Sequence, residues 1–153
     1  MSLSPEEITK IRVRQVRSFM KDYPEYNRLR PNEEANDDQI RLAIDMTIDD
    51  FNTSAPNTGT FTIDTFPSTY VLIVGTTLQL LQMEGMLQSR NKATYNVGQI
   101  SFNVSDKTPE YQNWIVNFRQ EYEQKRADLK KFINAESGYG EVASEYAGTD
   151  FWY

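Results

Sequence analysis

Residues 69–90 read TYVLIVGTTLQLLQMEGMLQSR, and this stretch decides the fold. Tyr70 to Val74, Leu78, Leu80, Leu81, Met83, Met86 and Leu87 leave almost no polar face on a 3.6-residue period. A helix apolar over most of its circumference is the central member of a bundle. Gly75 and Gly85 each cost about 1 kcal/mol relative to Ala inside a helix, so they are expected where neighbours approach closely. The densest apolar run, 70–81, is short of the roughly 20 residues of a membrane span and is broken by Gly75, Thr76 and Thr77. No membrane is expected as a partner.

Two helices precede the central one. Ser4, Pro5 and Glu7 form the start signal of the first, a capping box with proline at the opening position, flanked by a Leu3–Ile8 staple. It is expected to run to Tyr23, ahead of Pro24. Lys10, Arg14, Arg17 and Lys21 make a basic stripe on it, while Ile8, Ile11, Val16, Phe19 and Met20 supply apolar surface. After an irregular 24–35, Asn36 and Gln39 form a second capping box. Ile40, Ala43, Ile44, Thr47, Ile48 and Phe51 then follow at helical spacing. The polar stretch 52–68 alternates Phe61, Ile63 and Phe66 with polar residues, which predicts a short strand or an extended arm open to a partner.

Beyond the central helix, residues 93–104 predict a β-hairpin turning at Asn96-Val97-Gly98. An isolated hairpin is marginal, so Tyr95, Ile100 and Phe102 are expected to pack on the helices or on another chain. Thr108-Pro109-Glu110 opens a fourth helix reaching about Asn134, with Tyr111, Trp114, Ile115, Phe118, Tyr122, Leu129, Phe132 and Ile133 on its stripe. Its polar middle, Glu121 to Arg126, is expected to project past the core. The predicted fold is mainly α: a four-helix domain over 1–135 with one hairpin and an extended loop, then a C-terminal arm over 136–153. Tyr139, Tyr146, Phe151, Trp152 and Tyr153 give that arm aromatic anchors of the kind found at interfaces.

The composition narrows the chemistry. The 153 residues contain no cysteine and no histidine, which removes disulfides, thiolate nucleophiles and the side chain best suited to proton transfer near neutral pH. No cofactor, metal or catalytic residue is assigned, and an enzyme is not expected. Asp45 and Asp49, four residues apart, could hold a hard cation or act as an acid–base pair, but carboxylates at that spacing more commonly line a wet helix face. Asp49 and Asp50 sit near a helix C-terminus, where negative charge is unfavourable, so an arginine from a partner is expected beside them. The net charge of −6 argues against a nucleic-acid binder. The two ends carry opposite signs. Five Lys and Arg lie in 1–21, and Glu136, Glu141, Glu145 and Asp150 in 136–153 have no basic companion. Opposite ends of opposite charge are the two halves of a head-to-tail contact, which closes into rings. The N-terminal segment lacks a secretory pattern, so synthesis and retention in a cytosolic compartment are expected.

The order of elements brings a family into view. The segments NDDQIRLAIDMTIDDFN, TYVLIVGTTLQLLQMEGMLQSRN, ATYNVGQISFNVSD and TPEYQNWIVNFRQEYEQKRADLKKFI resemble, in layout over residues 36–134, the head–tail connector (adaptor or neck) proteins of tailed bacteriophages. The resemblance implies a virion protein made in the host cytoplasm, assembled as a ring of about twelve copies. Portal protein would lie on one side, tail or stopper protein on the other, with DNA only passing through the channel. It also implies that the C-terminal arm docks on the portal. The hairpin and the 52–68 loop are more elaborate than in the simplest all-helical connectors. A small cytosolic adaptor module binding one partner is the alternative reading. A carboxylate enzyme built on Asp45 and Asp49 is the third.

Overall fold

The computed structural model describes residues 3–27, 32–90, 94–97, 100–103 and 108–139, with residues 88–90, 94–97, 100–103, 108 and 139 described by backbone alone. Among the described residues the chain is mainly helical: α1 Pro5–Met20, α2 Asp37–Thr53, α3 Thr69–Arg90 and α4 Thr108–Tyr139. Between α3 and α4, β1 Thr94–Val97 pairs antiparallel with β2 Ile100–Asn103, Val97 opposite Ile100 and Tyr95 opposite Phe102. The side chains of these strands lie outside the described residues.

Both capping boxes form. The Ser4 N–H donates to the Glu7 carboxylate at 2.8 Å, and the Gln39 N–H donates to Asn36 Oδ1 at 2.8 Å. α1 nevertheless ends at Met20 and not at Tyr23. Lys21 takes the left-handed conformation (φ 54°) as C-cap, and its N–H bonds back to the Arg17 and Ser18 carbonyls. The early stop lets Asp22 turn inward. Its buried carboxylate accepts the backbone N–H groups of Glu34 (2.7 Å) and Ala35 (3.0 Å), which ties residues 34 and 35 to the end of α1.

α3 packs against α1, α2 and α4 and is the central helix, as its composition requires. Val71, Leu72, Val74, Leu78 and Leu80 are buried in one cluster with Ile40, Ala43, Ile44 and Phe51 of α2. The apolar span of α3 is longer than 70–81. By length and composition Thr69–Leu87, 19 residues of mean hydropathy 1.2, could cross a membrane, but its buried side chains face the other three helices. It is a core helix.

The 52–68 connection is not an open arm. Asn52 and Phe61 exchange two hydrogen bonds of 2.9 Å, and the rings of Phe61 and Phe66 stand edge-on to Phe51 at 5.7 and 4.9 Å. Phe66 is buried, and Phe61 and Ile63 are half-buried against the core. Alternating apolar residues here close the end of α2 instead of reaching outward.

α4 continues to Tyr139, past the expected stop at Asn134, so residues 136–139 of the expected arm are helical. At 1.5 Å per residue the helix is about 48 Å long. Ile133 is its last half-buried residue and 134–138 are exposed, so α4 carries the chain about 9 Å beyond its last core contact.

Candidate protein-docking groove

The four basic residues of the expected stripe separate into two groups. Lys10, Arg14 and Lys21 are exposed, and Lys10 pairs with Glu6 at 3.3 Å. Arg17 is buried and internal. Its guanidinium lies 3.3 Å from Asp22, 3.2 Å from Glu33 and 2.6 Å from Asp37, and so joins α1 to the start of α2. The capping charge of α2 is thus satisfied inside the chain. Arg17 leaves the list of outward contacts.

The expectation of a partner arginine beside Asp50 is also corrected. Asp50 accepts from the Tyr122 hydroxyl at 2.8 Å and from Arg126. One turn further along α4, Lys130 is fully buried. Its ammonium donates to the carbonyls of Ser54 and Pro56 (3.0 Å to the latter) and lies 4.9 Å from the Phe51 ring centre. Tyr122, Arg126 and Lys130 are spaced i, i+4, i+8, so they form one row. That row meets the C-terminal end of α2, where positive charge is favoured. Burial and the Asp50 charge push the Tyr122 phenol well above its ordinary value. Burial, aided by Arg126, pushes the Lys130 ammonium down. The polar middle of α4 therefore packs and does not project. The spacing Tyr-x3-Arg-x3-Lys was the available signal, but a row of polar residues reads as a solvated face until its partner helix is known.

The two carboxylates of the enzyme reading, Asp45 and Asp49, are exposed on α2 and line neither of the two depressions described below. Among the described residues no group of three or more His, Cys, Asp or Glu is placed to hold a metal ion.

At the other end of the α3–α4 pair the surface opens. Two adjoining depressions of about 290 and 430 Å³ share Met20, Glu34, Leu81 and Tyr111 and form one groove between α1, α3 and α4. Its aromatic wall is a chain of ring contacts, Phe19 to Phe118 at 6.2 Å and Phe118 to Trp114 at 5.9 Å. Trp114 is 58% exposed, Met86 61% and Phe19 44%. Tyr111 lies between the acidic residues of the rim. Burial and then the charges of Glu34, Glu84 and Glu110 push its hydroxyl up. Among the described lining residues every charged one is a glutamate.

Trp114 and Phe132, both expected on the buried stripe of α4, are 58% and 63% exposed. They stand about five turns apart on one line of the helix, roughly 80–100° round from Ile115, Tyr122 and Ile133. The stripe of α4 is wider than its contact with the core, and the excess is aromatic. Of the other expected contact residues, Tyr139 is the last residue of α4. The placement of its side chain, of the side chains of Tyr95, Ile100 and Phe102, and of Tyr146, Phe151, Trp152 and Tyr153 lies outside the described residues.

Comparison of the chain with protein-family models, with curated proteins and with solved structures returns no match.

Proposed function

We propose that this protein is a non-catalytic assembly subunit that binds other protein chains through the α1–α3–α4 groove and its C-terminal arm. The observation that carries this reading is the groove itself. A domain that satisfies a buried Lys and a buried Arg internally leaves Trp114, Phe19 and Met86 open to solvent in one place. Aromatic and methionine side chains gathered on one surface are the usual anchors of a protein interface.

The resemblance to phage head–tail connectors supplies the assembly: a ring of about twelve copies in the neck of a virion, made in the host cytoplasm. Portal protein would bind on one side and tail or stopper protein on the other. DNA passes through the channel without being a ligand, in keeping with the net charge of −6. In this reading the 93–104 hairpin contributes to contacts between subunits. The arm beyond residue 139, set forward by the projecting end of α4, engages the portal through Phe151, Trp152 and Tyr153.

The test is the mass of the purified chain, alone and with the portal protein of its parent virion, by light scattering, together with negative-stain microscopy. A ring, free or seated on portal, is the expected result. Deleting 146–153 should leave the helical signal intact in circular dichroism and abolish portal binding. A monomer that forms only one-to-one complexes with a cytosolic protein would replace the connector by an adaptor module.

A further inference from the structure

Glu34 and Glu110, both exposed at the edge of the groove, suit a positively charged occupant, and this chain carries one. On the outer side of α1, Lys10 and Arg14 are exposed beside Ile11, which is 41% exposed. The intrahelical pair between Lys10 and Glu6, with side chains 61% and 77% exposed, is worth only a few tenths of a kcal/mol and does not hold Lys10 in place.

Position on the helix decides whether this face can fill its own groove. At 3.6 residues per turn, Phe19, which helps build the groove wall, stands roughly 140–180° round α1 from Arg14 and Lys10. The basic face and the groove therefore point away from each other on the same helix and cannot meet within one chain. Two complementary patches facing opposite ways are what a heterologous contact needs.

We infer that the groove receives the Lys10–Ile11–Arg14 face of α1 from a second copy of this chain, a contact that rests on the ring-assembly reading and names its subunit interface. Ile11 enters over Tyr111 and Trp114, while Lys10 and Arg14 face Glu34 and Glu110. The C-terminal arm is excluded as occupant by charge, since Glu141, Glu145 and Asp150 would meet an acidic rim. It remains free for the portal. Each copy offers one groove and one α1 face, so the contact repeats head to tail until the rotation closes.

The experiment is a charge swap in the full chain. Glu34→Lys with Glu110→Lys reverses the groove, and Lys10→Glu with Arg14→Glu reverses the helix face. All four sites are exposed, and circular dichroism checks that each double variant is folded. Each variant alone is expected to need more than tenfold higher concentration to assemble, with or without portal. An equimolar mixture should recover assembly with the two chains alternating, and the wild-type contact should weaken with added salt.

Should a reversed variant not fold, Glu34→Gln with Glu110→Gln gives the same comparison through a smaller loss and a flatter salt dependence. Rings from either reversed variant at wild-type concentration overturn the contact and leave the connector reading standing. So does loss of portal binding alone, which would assign the groove to the portal. A charge-swap-dependent dimer that never closes keeps the contact and removes the ring. A wild-type chain that stays monomeric under all conditions removes both.

Discussion

α3 and α4 lie side by side along their shared length, yet the two ends of that pair are built differently. At the Gly75 end the backbones close on each other. A Cβ on Gly75 would fall against Thr47 of α2 and 2.6 Å from the Tyr122 ring, and beyond it Tyr122, Arg126 and Lys130 satisfy the C-terminal end of α2. At the Gly85 end a Cβ would meet, among the described residues, only Ile115 at 3.4 Å and Tyr111 at 3.8 Å, and the helices part to leave an aromatic groove. One end is finished by the chain's own side chains. The other stops at an apolar, acid-rimmed surface. The stability of the domain should depend on the first and its assembly on the second.

Lys130 gives the largest expected effect at the closed end. Lys130→Ala removes the donor from the Ser54 and Pro56 carbonyls and opens a void beside Phe51. The expected loss is about 3 kcal/mol, read from urea unfolding. Lys130→Met fills the void but supplies no donor, so it should lose less, about 1–2 kcal/mol. A loss below about 1 kcal/mol for the alanine variant would mean that the end of α2 is not held this way.

Next comes Gly75→Ala. The two atoms in its way cannot swing aside cheaply, because Thr47 donates to the Ala43 carbonyl at 2.8 Å and Tyr122 is fixed to Asp50. Overpacking of this kind costs about 2 kcal/mol even after the gain in helix propensity, and a lowered Tm would register it. A neutral result would place the α2–α3–α4 crossing further apart than this.

Tyr122→Phe is smaller, about 1 kcal/mol, because Asp50 keeps Arg126. Its effect also depends on pH. The folded-state pKa of the phenol is raised, so its contribution is complete below the unfolded value of about 10 and is lost as pH rises through the folded value. The stability gap between wild type and Tyr122→Phe should therefore shrink as pH climbs past 10. Taking the difference cancels the opposite, pH-raised contribution of Lys130. A gap that is flat across that range would show that the hydroxyl is not buried against Asp50.

The closed end was only partly legible in the sequence, and the reason is range. Ser4 with Glu7, Asn36 with Gln39, the stripe of α2 and the limits of α3 rest on residues three or four apart, where spacing alone fixes the partner. Arg17 read as part of an outward-facing basic stripe because Glu33 and Asp37 reach it through a reversal of the chain that no local pattern encodes. Asp50 invited a partner's arginine for the same reason, since Arg126 lies far along the chain. Phe61 and Ile63 alternate as an exposed strand would, and only the contacts of Phe61 and Phe66 with the Phe51 ring show that the segment folds inward. The groove was half visible. Phe19, Trp114 and Phe118 were recognisable as apolar. That they exceed what the core can cover depends on how far α4 leans away from α1.

At the open end the sign of the glycine effect reverses. Gly85→Ala meets ordinary van der Waals contact, so the helix-propensity gain of up to about 1 kcal/mol should appear as a raised Tm. A loss comparable to that of Gly75→Ala would mean that the two ends are equally tight, and the contrast between them would disappear.

The smallest stability effect is expected at Trp114, the proposed anchor for assembly. Trp114 is 58% exposed, and among the described residues its one ring contact is with Phe118 at the groove wall. Trp114→Ser removes little that the fold has buried, so the unfolding free energy should move by no more than about 0.5 kcal/mol. The same change strips the aromatic anchor from the groove and should raise the concentration needed for assembly at least tenfold. The pairing of those two measurements is the decisive part. A core residue would lose stability and assembly together, and an idle surface residue would change neither. Only a side chain held ready for another molecule separates them.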